Sequence, residues 1–323
     1  MLQKIFPGGV GNSPRHCFKV VFLSEGYLAQ EQHLFTGACA QFVERMLGIP
    51  PFNLTRINPH WLSVYRLFVP SANAGPASGS SSPGRTAFES AIDPATGILS
   101  VNAVLVRDAV DAAQLRVEDD EEPLSDFCVK GAPVSRTTGT LLVVLLPPVS
   151  PLAGGADAEH LPVVDTEYHF VATTQNGEWH QVVLRGLGKL VGLGDEFETA
   201  VAPPTPVNRF LLPCNLDHFG SVPLTNRDSA RWRSLFPPAR QSSPPVVHPK
   251  PAPHAPDHTL PQFPTAPDGV EFWEGGGGYA TQIYRTAKDC LMRRRIGDPA
   301  LPVRAAPVSL CPACRRFLHS VIG

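Results

Sequence analysis

Cys311-Pro312-Ala313-Cys314 places two thiols at the spacing used by a zinc knuckle or a redox pair. Cys290 and Cys214 are candidate further ligands, so three or four thiolates could enclose a structural zinc. A disulfide and plain buried or free thiols stay open as alternatives, because one CxxC does not choose among them. A catalytic redox role fits less well: Arg315 and Arg316 could lower a thiol pKa, but no thioredoxin-like strand, CxxC and helix succession surrounds the motif. Ser24, Cys39 and Cys128 are the other candidate nucleophiles, without a Gly-x-Ser-x-Gly elbow or a local Cys/His signature. The acidic run Glu118–Glu122 lacks the alternating oxygen ligands and glycine of a calcium loop and reads as a solvated segment. His248, His254 and His258 lie in a proline-rich tract and read as linker residues rather than a metal-binding series.

Those residues need a scaffold, and composition bounds it. With 323 residues, 43% hydrophobic and 17% charged, the chain has enough apolar mass for a sizeable core, which excludes wholesale disorder and a coiled coil. Lys and Arg number 27 against 29 Asp and Glu, a net charge of -2, so the basic footprint of a nucleic-acid or anionic-membrane binder is missing. No run approaches the roughly 20 apolar residues of a membrane span, and the first residues carry no apolar signal-peptide core. Together with seven scattered cysteines, an odd number, this predicts a cytoplasmic protein.

Cys17–Leu23 reads as a buried strand that turns at Ser24-Glu25-Gly26-Tyr27 into a helix over Ala29–Leu47, with Leu34, Phe35, Ala38, Phe42, Val43 and Met46 on its apolar face. A strand at Trp61–Val69 follows, then a small-residue loop over Ser71–Arg85. Thr140–Leu146 is a continuous apolar run, the kind buried on both faces of a sheet. Tyr168–Thr173 reads as another strand, and Trp179–Val191 has helical spacing at Val182, Val183, Leu187 and Leu190. Strands alternating with helices predict a layered α/β domain. Eleven prolines in Pro237–Pro267 mark an extended surface insertion. The expected layout is an N-terminal extension (1–16), a core (17–236), the proline-rich insertion (237–268) and a C-terminal part of the same domain (269–323).

Val20-Val21-Phe22-Leu23-Ser24-Glu25-Gly26-Tyr27 opens a series of motifs in a specific order. Pro51-Phe52, Val69-Pro70-Ser71 with Gly75, Thr86-x-Phe88, Leu141–Leu146 and Gly154-Gly155 come next. Gly192-Leu193-Gly194-Asp195-Glu196-Phe197, Asn215, Trp232, Glu274-Gly275-Gly276-Gly277-Gly278-Tyr279 and Tyr284-Arg285 follow, and Cys290-Leu291-Met292-Arg293 and Cys311-Pro312-Ala313-Cys314 close it. From about Cys17 onward this resembles the bacterial IgA-peptidase family of zinc metallopeptidases, the sixty-fourth metallopeptidase family. The resemblance implies a zincin-like metallopeptidase domain, an α/β fold whose mixed sheet packs with helices, here with the proline-rich surface insertion.

The family's catalytic helix carries His-Glu-x-x-His, two zinc ligands one turn apart and a general base. It runs into the Gly-Leu-x-Asp-Glu-aromatic segment that stands here as Gly192–Phe197. Counting back, those positions hold Leu184, Arg185 and Gly188, and the motif occurs nowhere else in the chain. Leucine and glycine offer zinc no ligand, Arg185 puts a fixed positive charge where a base is needed, and Asp195 alone cannot hold the ion. The resemblance therefore implies a catalytically inactive pseudopeptidase that binds peptide or protein, with no metal in the degenerate site. Its cleft candidates are Arg185, Asp195, Glu196 and Tyr279, and the strand near Tyr168–Thr173 is the candidate edge for an added peptide strand. The alternative is an active zinc endopeptidase with rearranged ligands, drawn from His160, His169, His180, His218, Asp195 and Glu196; Glu178 sits beside them at the wrong spacing.

Overall fold

The computed structural model describes residues 2–6, 18–56, 59–78, 86–92, 99–113, 139–148, 169–175, 179–194, 215–218, 235, 247–248, 272–276, 279–285, 290–292 and 310–322. Those through Val191 form one compact unit and those from Gly192 to Val321 a second, a boundary that falls inside the 17–236 stretch expected as one core.

The first unit runs β1 (Leu2–Phe6), β2 (Phe18–Ser24), α1 (Gln32–Leu47), β3 (Leu62–Leu67), the two-residue strands β4 (Ala77–Ser78), β5 (Ala91–Ile92) and β6 (Leu99–Ser100), then α2 (Ala103–Ala112), β7 (Gly139–Leu146), β8 (His169–Thr174) and α3 (Trp179–Leu190). It is an α/β fold: a five-stranded mixed sheet, in the order β1-β3-β2-β7-β8, packed against helices. β3, β2, β7 and β8 are parallel, and β1 adds an antiparallel edge from within the stretch expected as an extension. β4, β5 and β6 make a separate small sheet.

Both faces of the sheet are covered, which is why its central strands read as unbroken apolar runs. Every residue of β7 is buried. Side chains alternate across the sheet, so Val21, Leu23, Leu142, Val144 and Leu146 fall on one face. There they form a core with Phe88, Ile92, Leu99 and the α2 residues Val106 and Val110. On the other face Phe22 meets Phe42 of α1 at 5.1 Å between ring centroids and Trp179 of α3 at 6.4 Å, both edge to face. Phe35, Ala38, Cys39, Phe42 and Met46 are the buried stripe of α1, while Leu34, expected on it, is 51% exposed. α3 lies close against β7 and β8: a Cβ added at Gly186 would come within 2.8 Å of Val171 Cγ2 and 3.3 Å of Leu141 Cδ1. Gly192, with φ of +105°, then turns the chain out of the helix.

The second unit contains β9 (Asp217–His218), β10 (Val247–His248), β11 (Phe272–Gly276), β12 (Tyr279–Arg285) and α4 (Pro312–Ile322). Its sheet has the order β10-β11-β12-β9, with β10 and β11 parallel and the other pairs antiparallel. α4 buries Ala313, Cys314, Phe317, Leu318 and Ile322 and exposes Arg315, Arg316 and His319. Among the described residues no helix is long and apolar enough to cross a membrane.

Candidate functional site

Motif pieces far apart in sequence meet at the ends of β2 and β3. The Ser24 hydroxyl donates to the Val69 carbonyl at 2.9 Å and accepts the Val69 amide at 2.8 Å, locking the two strand ends together. The Gly26 amide donates to Ser71 Oγ at 2.9 Å, and Ser71 Oγ also accepts the Ala87 amide at 3.0 Å. Ser71 opens the small-residue loop, yet it is buried, and its hydroxyl serves these two amides. Glu25 is fully buried, and its carboxylate oxygens accept the Phe88 amide at 2.8 Å and the Ser90 amide at 2.9 Å. Between those amides Glu89 adopts φ of +52°, a left-handed turn that aims both N–H groups at one anion. The Tyr27 hydroxyl accepts a hydrogen bond from Gln175 Nε2 just after β8.

Ser24 and Cys39, weighed as nucleophiles, are structural. The Ser24 hydroxyl is committed to Val69, and burial pushes the Cys39 thiol pKa well above its ordinary value. Burial, and secondarily Cys39, does the same to the Tyr27 hydroxyl. Cys128 lies outside the described residues. The raised Cys39 pKa has a testable sign. Above about pH 8.5 the unfolded thiol ionises while the folded one keeps its proton, so the native state binds more protons and stability falls as pH rises. Between pH 7.5 and 9.5 this contributes a loss of about 1.4 kcal/mol, one unit's worth at roughly 1.36 kcal/mol per unit. Urea titrations of the wild type and Cys39→Ala at both pH values measure it; the wild type should lose more, and equal losses would contradict the assignment.

α3 carries the positions that the resemblance sets against a zincin helix. Leu184 is 1% exposed, Arg185 is 2% exposed and Gly188 is buried; of the whole helix only Lys189 is not buried. Arg185 is thus held inside the protein. His180, also buried, accepts at Nδ1 from Arg45 Nη1 of α1 at 3.0 Å, so that nitrogen is unprotonated and engaged. His169 begins β8 and His218 ends β9. Glu178, His160, Asp195, Glu196 and Cys214 lie outside the described residues, as do His254, His258 and the acidic run. Tyr279 opens β12. Gly194 is fixed by the buried Asn215, which accepts the Gly194 amide at 2.8 Å and donates to its carbonyl at 2.9 Å.

Cys290, Cys311 and Cys314 do converge. All three are buried thiols, their sulfurs lie within 4.8 Å of one another, and Cys290 Sγ is 3.8 Å from Cys314 Sγ. This cluster could hold a metal, and it is the one His/Cys/Asp/Glu group among the described residues with that geometry. Cys311 is the N-cap of α4, since its carbonyl accepts the Arg315 amide at 2.9 Å and its sulfur accepts the Cys314 amide at 3.4 Å. Pro312 then occupies the first helical position, where a missing N–H costs nothing. Burial, and secondarily hydrogen bonding with Cys290 and Cys311, raises the Cys314 thiol pKa.

No protein-family model and no curated protein matches the chain.

Proposed function

We propose that this protein is a zincin-like pseudopeptidase of the IgA-peptidase type, which binds an extended peptide or protein segment without cleaving it. The observation that carries the reading is α3. It runs up to the Gly192 turn with Leu184, Arg185 and Gly188, none of them a zinc ligand, buried at the catalytic register. The meeting of Ser24-Glu25-Gly26 with Val69, Ser71 and Phe88, and of Gly194 with Asn215, supports the resemblance, because its scattered pieces come together as structural contacts. For the partner, β8 stands at the end of the strand order among the described residues, the position in a sheet at which a peptide strand is added.

Fluorescently labelled, unfolded casein tests both halves. The expected result is a rise in anisotropy on binding, with no increase in acid-soluble label over hours, whether or not a zinc chelator is present. Cleavage abolished by the chelator would overturn the reading. So would about one zinc per chain retained in a Cys311→Ser/Cys314→Ser variant, which would favour an endopeptidase with rearranged ligands.

A further inference from the structure

We propose that Cys290, Cys311 and Cys314 are thiolate ligands of one structural zinc ion that clips the 290–292 segment to the first turn of α4. A tetrahedral zinc with bonds of about 2.3 Å to sulfur sets its ligand sulfurs about 3.8 Å apart. The Cys290–Cys314 separation is 3.8 Å, and no pair exceeds 4.8 Å. The surrounding backbone is arranged for anionic sulfur. Cys290 Sγ accepts the Met292 amide at 3.4 Å and the Cys311 amide at 3.2 Å, while Cys311 Sγ accepts the Cys314 amide. The N-terminus of α4 adds its partial positive charge at the same point.

Three such thiolates repel one another in a buried site unless a cation sits among them, and a divalent ion leaves a net charge of only -1 for those amides to offset. Zinc binding by the neutral thiols releases three protons, one per new zinc–sulfur bond. An all-sulfur set selects a soft or borderline ion and rejects calcium and magnesium, which require oxygen. A disulfide would use two of these sulfurs and leave the third without a purpose; a metal uses all three. The site belongs to the second compact unit and α3 to the first, and its ligands are none of the residues of the peptidase-like helix, so its metal content is tested separately from peptide binding or cleavage.

The test is zinc stoichiometry of the full chain, purified under reducing conditions and reloaded with zinc alone, then dialysed. About one zinc per chain is expected, released quantitatively by a thiol-specific mercurial. Cys290→Ser and Cys311→Ser should each lower retention at least tenfold. Should those variants fold poorly, differential alkylation of the wild type decides. Cys290, Cys311 and Cys314 should react at least tenfold more slowly with zinc than after a chelator has removed it. No zinc retained by the reloaded wild type, zinc that survives alkylation of all three cysteines, or alkylation rates indifferent to the chelator would each overturn the assignment. Casein cleavage, by contrast, would refute only the pseudopeptidase reading.

Discussion

Glu25→Ala is expected to lower the free energy of unfolding by about 3 kcal/mol, seen as a fall in the urea midpoint with an unchanged slope. The carboxylate is fully buried, so its loss removes two short hydrogen bonds and leaves a cavity in the interior. The two amides do not suffer equally. Ser90 N–H is shared with Thr86 Oγ1 at 3.1 Å and keeps that acceptor, whereas the Phe88 amide loses the acceptor it has in Glu25. A buried amide stripped of its acceptor costs about 1–3 kcal/mol. The left-handed turn at Glu89 adds to this, because the carboxylate is one of the partners that hold its neighbours in place. Phe88 belongs to the core face that includes Val21, Leu23 and Val106, so a slackened turn also loosens apolar packing. Glu25→Gln keeps one acceptor oxygen but turns an amide group toward a backbone donor; it should lose less than alanine and more than 0.5 kcal/mol. An alanine variant as stable as the wild type would show that the carboxylate supports nothing.

Glu25 also shows where sequence reasoning stops. Its acceptors' partners lie 63 and 65 positions along the chain, and nothing local distinguishes it from a solvated turn acid. Strong local patterns were legible. The apolar run Thr140–Leu146 became β7, Tyr168–Thr173 became β8 one residue later, and the period-3.6 stretch Trp179–Val191 became α3. α2 left no clear signal, since only Val106 and Val110 of its residues are buried, Leu105 and Ala109 pack at the core's margin, and the neighbouring Val104 is 57% exposed. Its marker is the cap: Asn102 Oδ1 accepts the Val104 amide at 3.1 Å and the Leu105 amide at 3.4 Å. β1 buries Phe6 alone, too little for an alternation to register. The cysteines were legible as residue types, but the meeting of Cys290 with the CxxC pair is a tertiary fact that spacing does not encode.

Gly26→Ala should be more damaging than its neighbour Gly75→Ala, although both glycines have nearly the same backbone conformation, φ of +71° and +70°. In either position an alanine takes on a left-handed backbone at a cost of about 1–2 kcal/mol. At Gly75 the cost ends there, because a Cβ would meet no atom within 4 Å. At Gly26 the Cβ would stand 2.9 Å from Gly75 Cα and 2.9 Å from Gly75 N, both backbone atoms that no rotamer change can move aside. Relief requires the two segments to separate. Separation breaks the bond from the Gly75 amide to the Gly26 carbonyl at 2.9 Å and draws the Gly26 amide away from Ser71 Oγ. Each broken bond adds about 1 kcal/mol, so Gly26→Ala should cost about 3–4 kcal/mol against about 1–2 for Gly75→Ala. Urea midpoints of the two variants measure the difference directly. Equal losses would mean that the turn after β2 does not need its close approach to the Gly75 segment. A gap of 2 kcal/mol or more would assign the glycine of Ser24-Glu25-Gly26-Tyr27 to the packing of two backbones rather than to its torsion alone.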